Sequence, residues 1–242
     1  MCGRSSLHDA PVNILDRFQL PPVLPGFEPR YNIAPTQLQW TLALDESGAA
    51  AARTMQWGLV PSWAKDPSGG SRMINARAES LASRAAYAEA LSNRRCLVLA
   101  DGYYEWTPAG KTKVPMFFHL DGHGAFAFAG LWDRWNGGVE PLDTCTIITT
   151  RASTMASAYH HRMPAILTAD SVKMWMDSAS DEATLLALLA PYEGTDLQTY
   201  EVSRLVNSPN NDSAECIAPA TSLTKLGASP PDQLELGVPG LF

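Results

Sequence analysis

Strand-like and helix-like stretches follow one another along this chain without a regular strand–helix–strand beat, which excludes a doubly wound parallel sheet. Between Cys96 and Thr150 the pattern is almost wholly β. Cys96–Ala100 is a continuous apolar run, as a buried strand requires. Met116–Leu120 and Ala125–Trp132 flank Asp121-Gly-His-Gly124, which predicts a hairpin. Cys145–Thr150 is rich in β-branched residues, and Leu38–Leu44, Arg53–Trp57, Ala165–Leu167 and Leu197–Val202 add further strands. Helices are expected over Pro11–Leu20, Leu81–Ser92, Ser171–Met176 and Asp181–Leu189, with Asp170 capping the third, and a helical turn over Ala152–Ala158. The proline-rich stretch 21–36 and Gly58–Met73 read as loops. The pattern as a whole is α+β with a mostly antiparallel, curved sheet.

Composition removes several function classes. A chain of 242 residues that is 45% hydrophobic and 18% charged folds, as one large domain or two small ones. It holds no apolar run of membrane-spanning length and no secretory signal pattern, so the expected location is cytoplasmic, or nuclear in a eukaryote. The net charge of −7 disfavours a globally basic nucleic-acid binder but leaves a local basic groove open. Cys2, Cys96, Cys145 and Cys216 form no CxxC pair, and Gly69-Gly70 lacks the Lys-Ser/Thr of a phosphate loop. No metal or cofactor is implied. Cys96, Cys145 and Cys216 read as structural.

Cys2 stands apart because of its position. Once Met1 is trimmed, Cys2 carries a free α-amine, which titrates about two units below lysine, beside a thiol. Two chemistries are open to such a residue. The thiolate can attack an amide carbonyl with the amine as base. Alternatively, amine and thiol together can capture an aldehyde, first as a Schiff base and then as a thiazolidine ring. Otherwise Cys2 is an ordinary cysteine.

Three segments offer partners. Asp101-Gly-Tyr-Tyr-Glu105-Trp106 follows an apolar run, so Glu105 is either a partly desolvated acid–base group or a surface residue of a hairpin. His160-His161-Arg162-Met163-Pro164 is either a functional pair of imidazoles or a solvated loop, and lacks the spacing of a metal motif. In Ile74-Asn75-Ala76-Arg77, Asn75 offers two donors and an acceptor and Arg77 a phosphate fork, although both could simply hold a loop. Trp57, Trp63, Tyr103, Tyr104 and Trp106 could stack on unpaired bases; three of the five are expected in the core.

Taken together these segments resemble the SRAP family (SOS-response-associated peptidases, also called abasic-site processing proteins). The resemblance runs in order through Met1-Cys-Gly-Arg4, Arg30-Tyr-Asn-Ile-Ala-Pro35, Trp57-Gly-Leu-Val-Pro-Ser-Trp63, Ile74-Asn-Ala-Arg-Ala-Glu79, Asp101-Gly-Tyr-Tyr-Glu-Trp106, His160-His-Arg-Met-Pro164 and Val206-Asn-Ser-Pro-Asn-Asn-Asp212. It implies a single α+β domain over 1–218 with a barrel-like β core flanked by helices; 219–242 lies outside it and, from its prolines, reads as an irregular tail. It implies single-stranded DNA containing abasic sites as partner and a thiazolidine cross-link through Cys2; a monomer is the default expectation. The roles it implies are Glu105 as general acid–base, His160 for opening the sugar, and Asn75 for holding the Cys2 amine or a sugar oxygen. Arg4, Arg77 and Arg162 would pair with phosphates, and Pro35 and Trp63 would wedge or stack on bases. Two other classes fit the first residues alone: an N-terminal-nucleophile amidohydrolase or self-trimming peptidase, and a non-catalytic reader of single strands.

Overall fold

The computed structural model describes residues 2–45, 47–122, 124–168 and 170–220. Its elements, in chain order, are β1 (Ser5–Leu7), α1 (Val12–Arg17), β2 (Arg30–Ile33), β3 (Leu38–Leu44), β4 (Ala50–Trp57), β5 (Asn75–Arg77), α2 (Ala85–Asn93), β6 (Arg95–Ala100), β7 (Gly102–Ala109), β8 (Thr112–Leu120), β9 (Phe126–Trp135), β10 (Leu142–Arg151), β11 (Arg162–Pro164), β12 (Ile166–Leu167), α3 (Ser171–Met176), α4 (Glu182–Ala187) and β13 (Leu197–Glu201).

The expected curved β core is a closed barrel. Strands β10, β9, β6, β3 and β4 pair antiparallel in that order, and a short parallel contact of β4 with β10 closes the ring. Beyond that contact β5 takes over the same edge of β10, with Asn75 opposite Ile147. A second, all-antiparallel sheet runs β13-β8-β7-β1-β2.

Strand periodicity divides the core. On β6, Leu97 and Leu99 join a cluster with Tyr87 and Leu91 of α2 and Trp175 of α3. Cys96, Val98 and Ala100 join a second cluster that contains Cys2, Trp57, Tyr103, Phe118 and Ile147. Each fully buried large apolar side chain contributes about 1.5–3 kcal/mol. Arg95 is the polar exception, only 7% exposed. Its guanidinium donates to the carbonyls of Leu91, Ser92, Trp175 and Asp177, which tie α2 and α3 to the strand.

Some expectations are corrected. Strands β8 and β9 do not form a hairpin: β8 pairs with β7 and β13, β9 with β6, β10 and β12. Residues 126–131 of β9 are all buried, and a strand buried on both faces needs a central place in a sheet. The tight hairpin is β7–β8, turning at Gly110, whose φ of +62° suits a residue without Cβ. The 21–36 stretch contains β2, which Pro29 and Pro35 bracket without interrupting. Asp170 makes no side-chain cap; the Thr168 hydroxyl accepts from the Ser171 amide at 3.3 Å instead. In the expected tail, Pro219 bridges to Val202, and residues 221–242 lie outside the described residues. Among the described residues no helix is long and apolar enough to cross a membrane.

Candidate active site around Cys2

The N-terminal segment is threaded between two strands. Ser5 faces Tyr103 and Ser6 faces Gly102 on β7, and the Tyr104 amide donates to the Arg4 carbonyl at 3.0 Å. This antiparallel register carries the residues before Ser5 along β7 towards Glu105. Cys2 is fully buried, with Sγ 3.8 Å from the Arg4 carbonyl oxygen. Asn75 Nδ2 donates to the Cys2 carbonyl at 2.7 Å. Asn75 Oδ1 is buried and has no hydrogen-bond partner among the described residues.

Asn75 reaches this position because the Trp57 motif fixes β5. The buried Trp57 indole donates to the Ile74 carbonyl at 2.8 Å, and the Leu59 amide donates to Met73 at 3.1 Å. Gly58 has φ +131°, and a Cβ there would lie 2.6 Å from the Gly70 carbonyl oxygen, so this close approach requires glycine.

Glu105 sits within β7 and is 5% exposed, so it is not the surface residue its local sequence allows. Its Oε1 lies 3.9 Å from His160 Nδ1. The loop carrying His160 is held by Thr107, whose hydroxyl donates to the Tyr159 carbonyl at 3.2 Å, and by the His160 amide donating to Ala156. His160 Nδ1 lies 3.0 Å from the Arg162 amide and 3.1 Å from the Arg162 carbonyl oxygen, which fix the ring in place.

Burial dominates the electrostatics. It pushes the Glu105 carboxyl above the usual carboxylate range and the His160 imidazole below its ordinary value. The Cys2 thiol is pushed far up, first by burial and then by the charge of Glu105. Burial thus favours the neutral thiol, and makes the Glu105 carboxylate more basic than an exposed one. Such an arrangement can move protons to and from a nucleophile. The histidine pair is stacked, ring centroids 4.3 Å apart; the described group with metal-ligand spacing is His8, Asp9 and Asp101. Asp101 there accepts from Ser6 Oγ at 2.5 Å and from the Asp9 amide at 2.8 Å.

The other sequence-derived residues are distributed around this centre. Arg4 donates to Asn32 Oδ1 at 2.6 Å and to the Val206 carbonyl, with its guanidinium 5.6 Å over the Trp106 ring. Arg77 is exposed at the end of β5. Arg162 is held by Glu79 at 2.6 and 3.0 Å and by the Thr149 carbonyl, so its guanidinium already has an internal anion. Pro35 is half-buried in the turn after β2. Trp63 is 66% exposed on its loop and makes no hydrogen bond or ring contact among the described residues. Trp57, Tyr103 and Tyr104 are core residues, which leaves Trp63 and Trp106 as the accessible rings.

The structure adds Lys113 and Arg204, which line an open groove with Arg4, Trp106, Thr112 and Asn207. Lys113 faces Pro108 across the β7–β8 hairpin, a register that the sequence did not reveal. The segment 206–212 is structural. Asn32 Nδ2 donates to the carbonyls of Val206, Ser208 and Asn211, and Asp212 accepts from the Tyr31 and Asn32 amides.

The fold is a five-stranded mixed barrel in which Cys2 is buried with barrel residues and under the charge of Glu105. The chain belongs to the SOS response associated peptidase (SRAP) family, whose model matches residues 1–209. It is 42% identical over 222 residues to the abasic site processing protein YoqW of Bacillus subtilis, covering 90% of this chain and 99% of that protein. It is 36% identical over 220 residues to the abasic site processing protein HMCES of Gallus gallus, covering 80% of this chain and 61% of that protein. A crystal structure of a Bacteroides thetaiotaomicron protein shares the fold, with a TM-score of 0.79 at 24% identity over 90% of this chain and all (100%) of the other. That of a phage-related protein from Bordetella bronchiseptica matches with a TM-score of 0.68 at 28% identity, covering 84% of this chain and 95% of that one.

Proposed function

We propose that this protein processes abasic sites in single-stranded DNA by covalent capture, with Cys2 as the reacting residue after removal of Met1. The observation that carries the reading is that Asn75 holds the carbonyl of the buried Cys2, on whose thiol the charge of Glu105 acts, with His160 3.9 Å from Glu105. The relatives' naming as abasic site processing proteins supports the choice of lesion.

A ring-opened abasic sugar presents an aldehyde. The Cys2 α-amine attacks its carbon and water leaves, giving an imine. The sulfur then bonds to the same carbon, the C=N electron pair moves to nitrogen, and the thiol proton passes through Glu105 to that nitrogen. The product is a thiazolidine, with no net oxidation or reduction. His160 donates to the sugar oxygen as the ring opens. Asn75 holds the Cys2 backbone so that amine and sulfur face one carbon. Removal of Met1 by the chain itself, with the same cysteine as nucleophile, belongs to this proposal, as does action as a monomer.

Arg4, Arg77, Lys113 and Arg204 supply phosphate contacts, and Arg162 joins them when a phosphate displaces Glu79. Trp63, Trp106 and Pro35 offer surfaces for bases beside the lesion. With a net charge of −7, binding rests on this local basic rim and weakens steeply with salt.

The test is a denaturing gel of protein mixed with an abasic single-stranded oligonucleotide. Wild type, Cys2→Ala and a form with an uncleaved residue before Cys2 are compared, and the N-terminus is read by mass spectrometry. A heat-stable shifted band in wild type alone is expected. No band from a protein lacking Met1 overturns covalent capture. Ammonia release from glutamine would then place the chain among amidohydrolases, and tight noncovalent binding among single-strand readers.

A further inference from the structure

Tyr103 lies two residues before Glu105 on β7, so both side chains leave the same face of the strand. It is 1% exposed, stacked on Phe118 at 4.8 Å between ring centroids and edge-on to Phe128 at 6.0 Å. Phe118 in turn meets Tyr159, the residue before His160, edge to face. The ring is therefore fully accounted for by packing. The hydroxyl is not: it is buried and has no hydrogen-bond partner among the described residues. A phenylalanine would fill the same space without burying an unpaired donor. The tyrosine shares its buried cluster with Cys2, and the charged groups acting on it are Cys2 and Glu105.

We propose that Tyr103 is a positioning residue for the covalent capture, its hydroxyl donating to the Cys2 sulfur as the thiol proton leaves for Glu105. This inference rests on the function proposed above. Burial keeps the phenol protonated, well above its ordinary titration range, so it stays a donor throughout. In the ring-closing step, sulfur loses its proton to Glu105 while its electron pair forms the S–C bond. Both the departing proton's origin and its destination carry developing or full negative charge in a site with little water. Tyr103 stabilises the charge on sulfur and keeps its own proton, so the atom balance is unchanged. Charged groups acting on Glu105 are the amine of the chain's N-terminus, His161 from the loop after β10 and Lys113 from β8, and His160 lies 3.9 Å from it.

Tyr103→Phe retains the ring stack and removes only the hydroxyl. The rate of adduct formation with the abasic oligonucleotide is expected to fall about tenfold at neutral pH. Placing 3-fluorotyrosine, a stronger donor, at 103 should keep the rate at or above that of wild type. A Tyr103→Phe protein with the wild-type rate overturns the proposal. A readout without DNA separates this from failure of the proposed function. Alkylation of Cys2 by iodoacetamide should be slower in Tyr103→Phe than in wild type, because the developing thiolate loses a donor, and equal rates overturn the role even if no adduct ever forms.

Discussion

Asn75→Ala cuts the bond that holds Cys2 in place and leaves the barrel intact. The bond is an amide donor at 2.7 Å from the carbonyl of a fully buried residue. Removing the donor leaves that carbonyl unsatisfied, at a cost of about 1–3 kcal/mol. If the whole cost falls on the docked position of Cys2, its population drops by about 5- to 150-fold, and the rate of adduct formation drops with it. The melting temperature should fall only by about 2–4 °C per kcal/mol, and by less if the terminal segment frays before the domain unfolds. The assay is a time course of the heat-stable band at saturating abasic oligonucleotide, with calorimetry alongside. Asn75→Asp should be slower still at neutral pH, since it lacks the donor and turns a negative charge towards the Cys2 carbonyl oxygen. Unchanged rate and melting temperature in Asn75→Ala would refute the reasoning. The β1 pairing and the Gln39 donor on Ser5 Oγ at 2.7 Å would then fix Cys2 by themselves.

Glu105→Gln should slow adduct formation by about 10²–10⁴-fold and abolish the acid limb of the pH profile. The same substitution should raise stability at neutral pH. Burial lifts the folded-state carboxyl above its unfolded value, so the folded protein loses stability as pH rises from the unfolded pKa through the folded one. In thermal melts against pH, the advantage of Glu105→Gln should therefore shrink towards zero below the ordinary glutamate range. Glu79→Gln releases Arg162 from its internal anion. Fluorescence anisotropy should show tighter binding of a single strand and a salt dependence steeper by about one phosphate contact. Arg95→Ala strands carbonyls from α2 and α3 and should cost about 1–3 kcal/mol in urea unfolding for each carbonyl left without a partner, with adduct formation retained in the folded fraction.

Much of the strand inventory was legible because strands announce themselves through local patterns. Leu38–Leu44 and the apolar run of β6 are where periodicity puts them, and β9 and β10 differ only at their ends. Pairing was not legible. The Asp121–Gly124 turn signal marks a reversal of the chain but does not say which sheet each flanking strand joins. The true hairpin at Gly110 has a less conspicuous turn, and β2 was hidden among prolines. Asp181, which accepts from the Thr184 amide at 2.7 Å, caps its helix, while Asp170 does not cap its own. Both are aspartates at helix starts, and only the backbone angle at the cap distinguishes them.

By itself the sequence determined the reactive inventory: a cysteine second in the chain, an asparagine, a carboxylate and an imidazole in ordered motifs that identify the family. It also determined that the core would be largely antiparallel β. Only the tertiary structure decided which of those groups meet. Glu105 could have been a solvated hairpin residue; the pairing of β7 with β1 and β8 buries it and aims it at His160. Arg162 could have pointed to solvent; Glu79 and the Thr149 carbonyl hold it. Tyr103, read as a stacking or core aromatic, became a buried donor on the face of Glu105. The physical reason is that a residue's type and spacing act over a few neighbours. Burial, charge shift and hydrogen-bond partners come instead from strands far apart in sequence, which the closing of the barrel brings together.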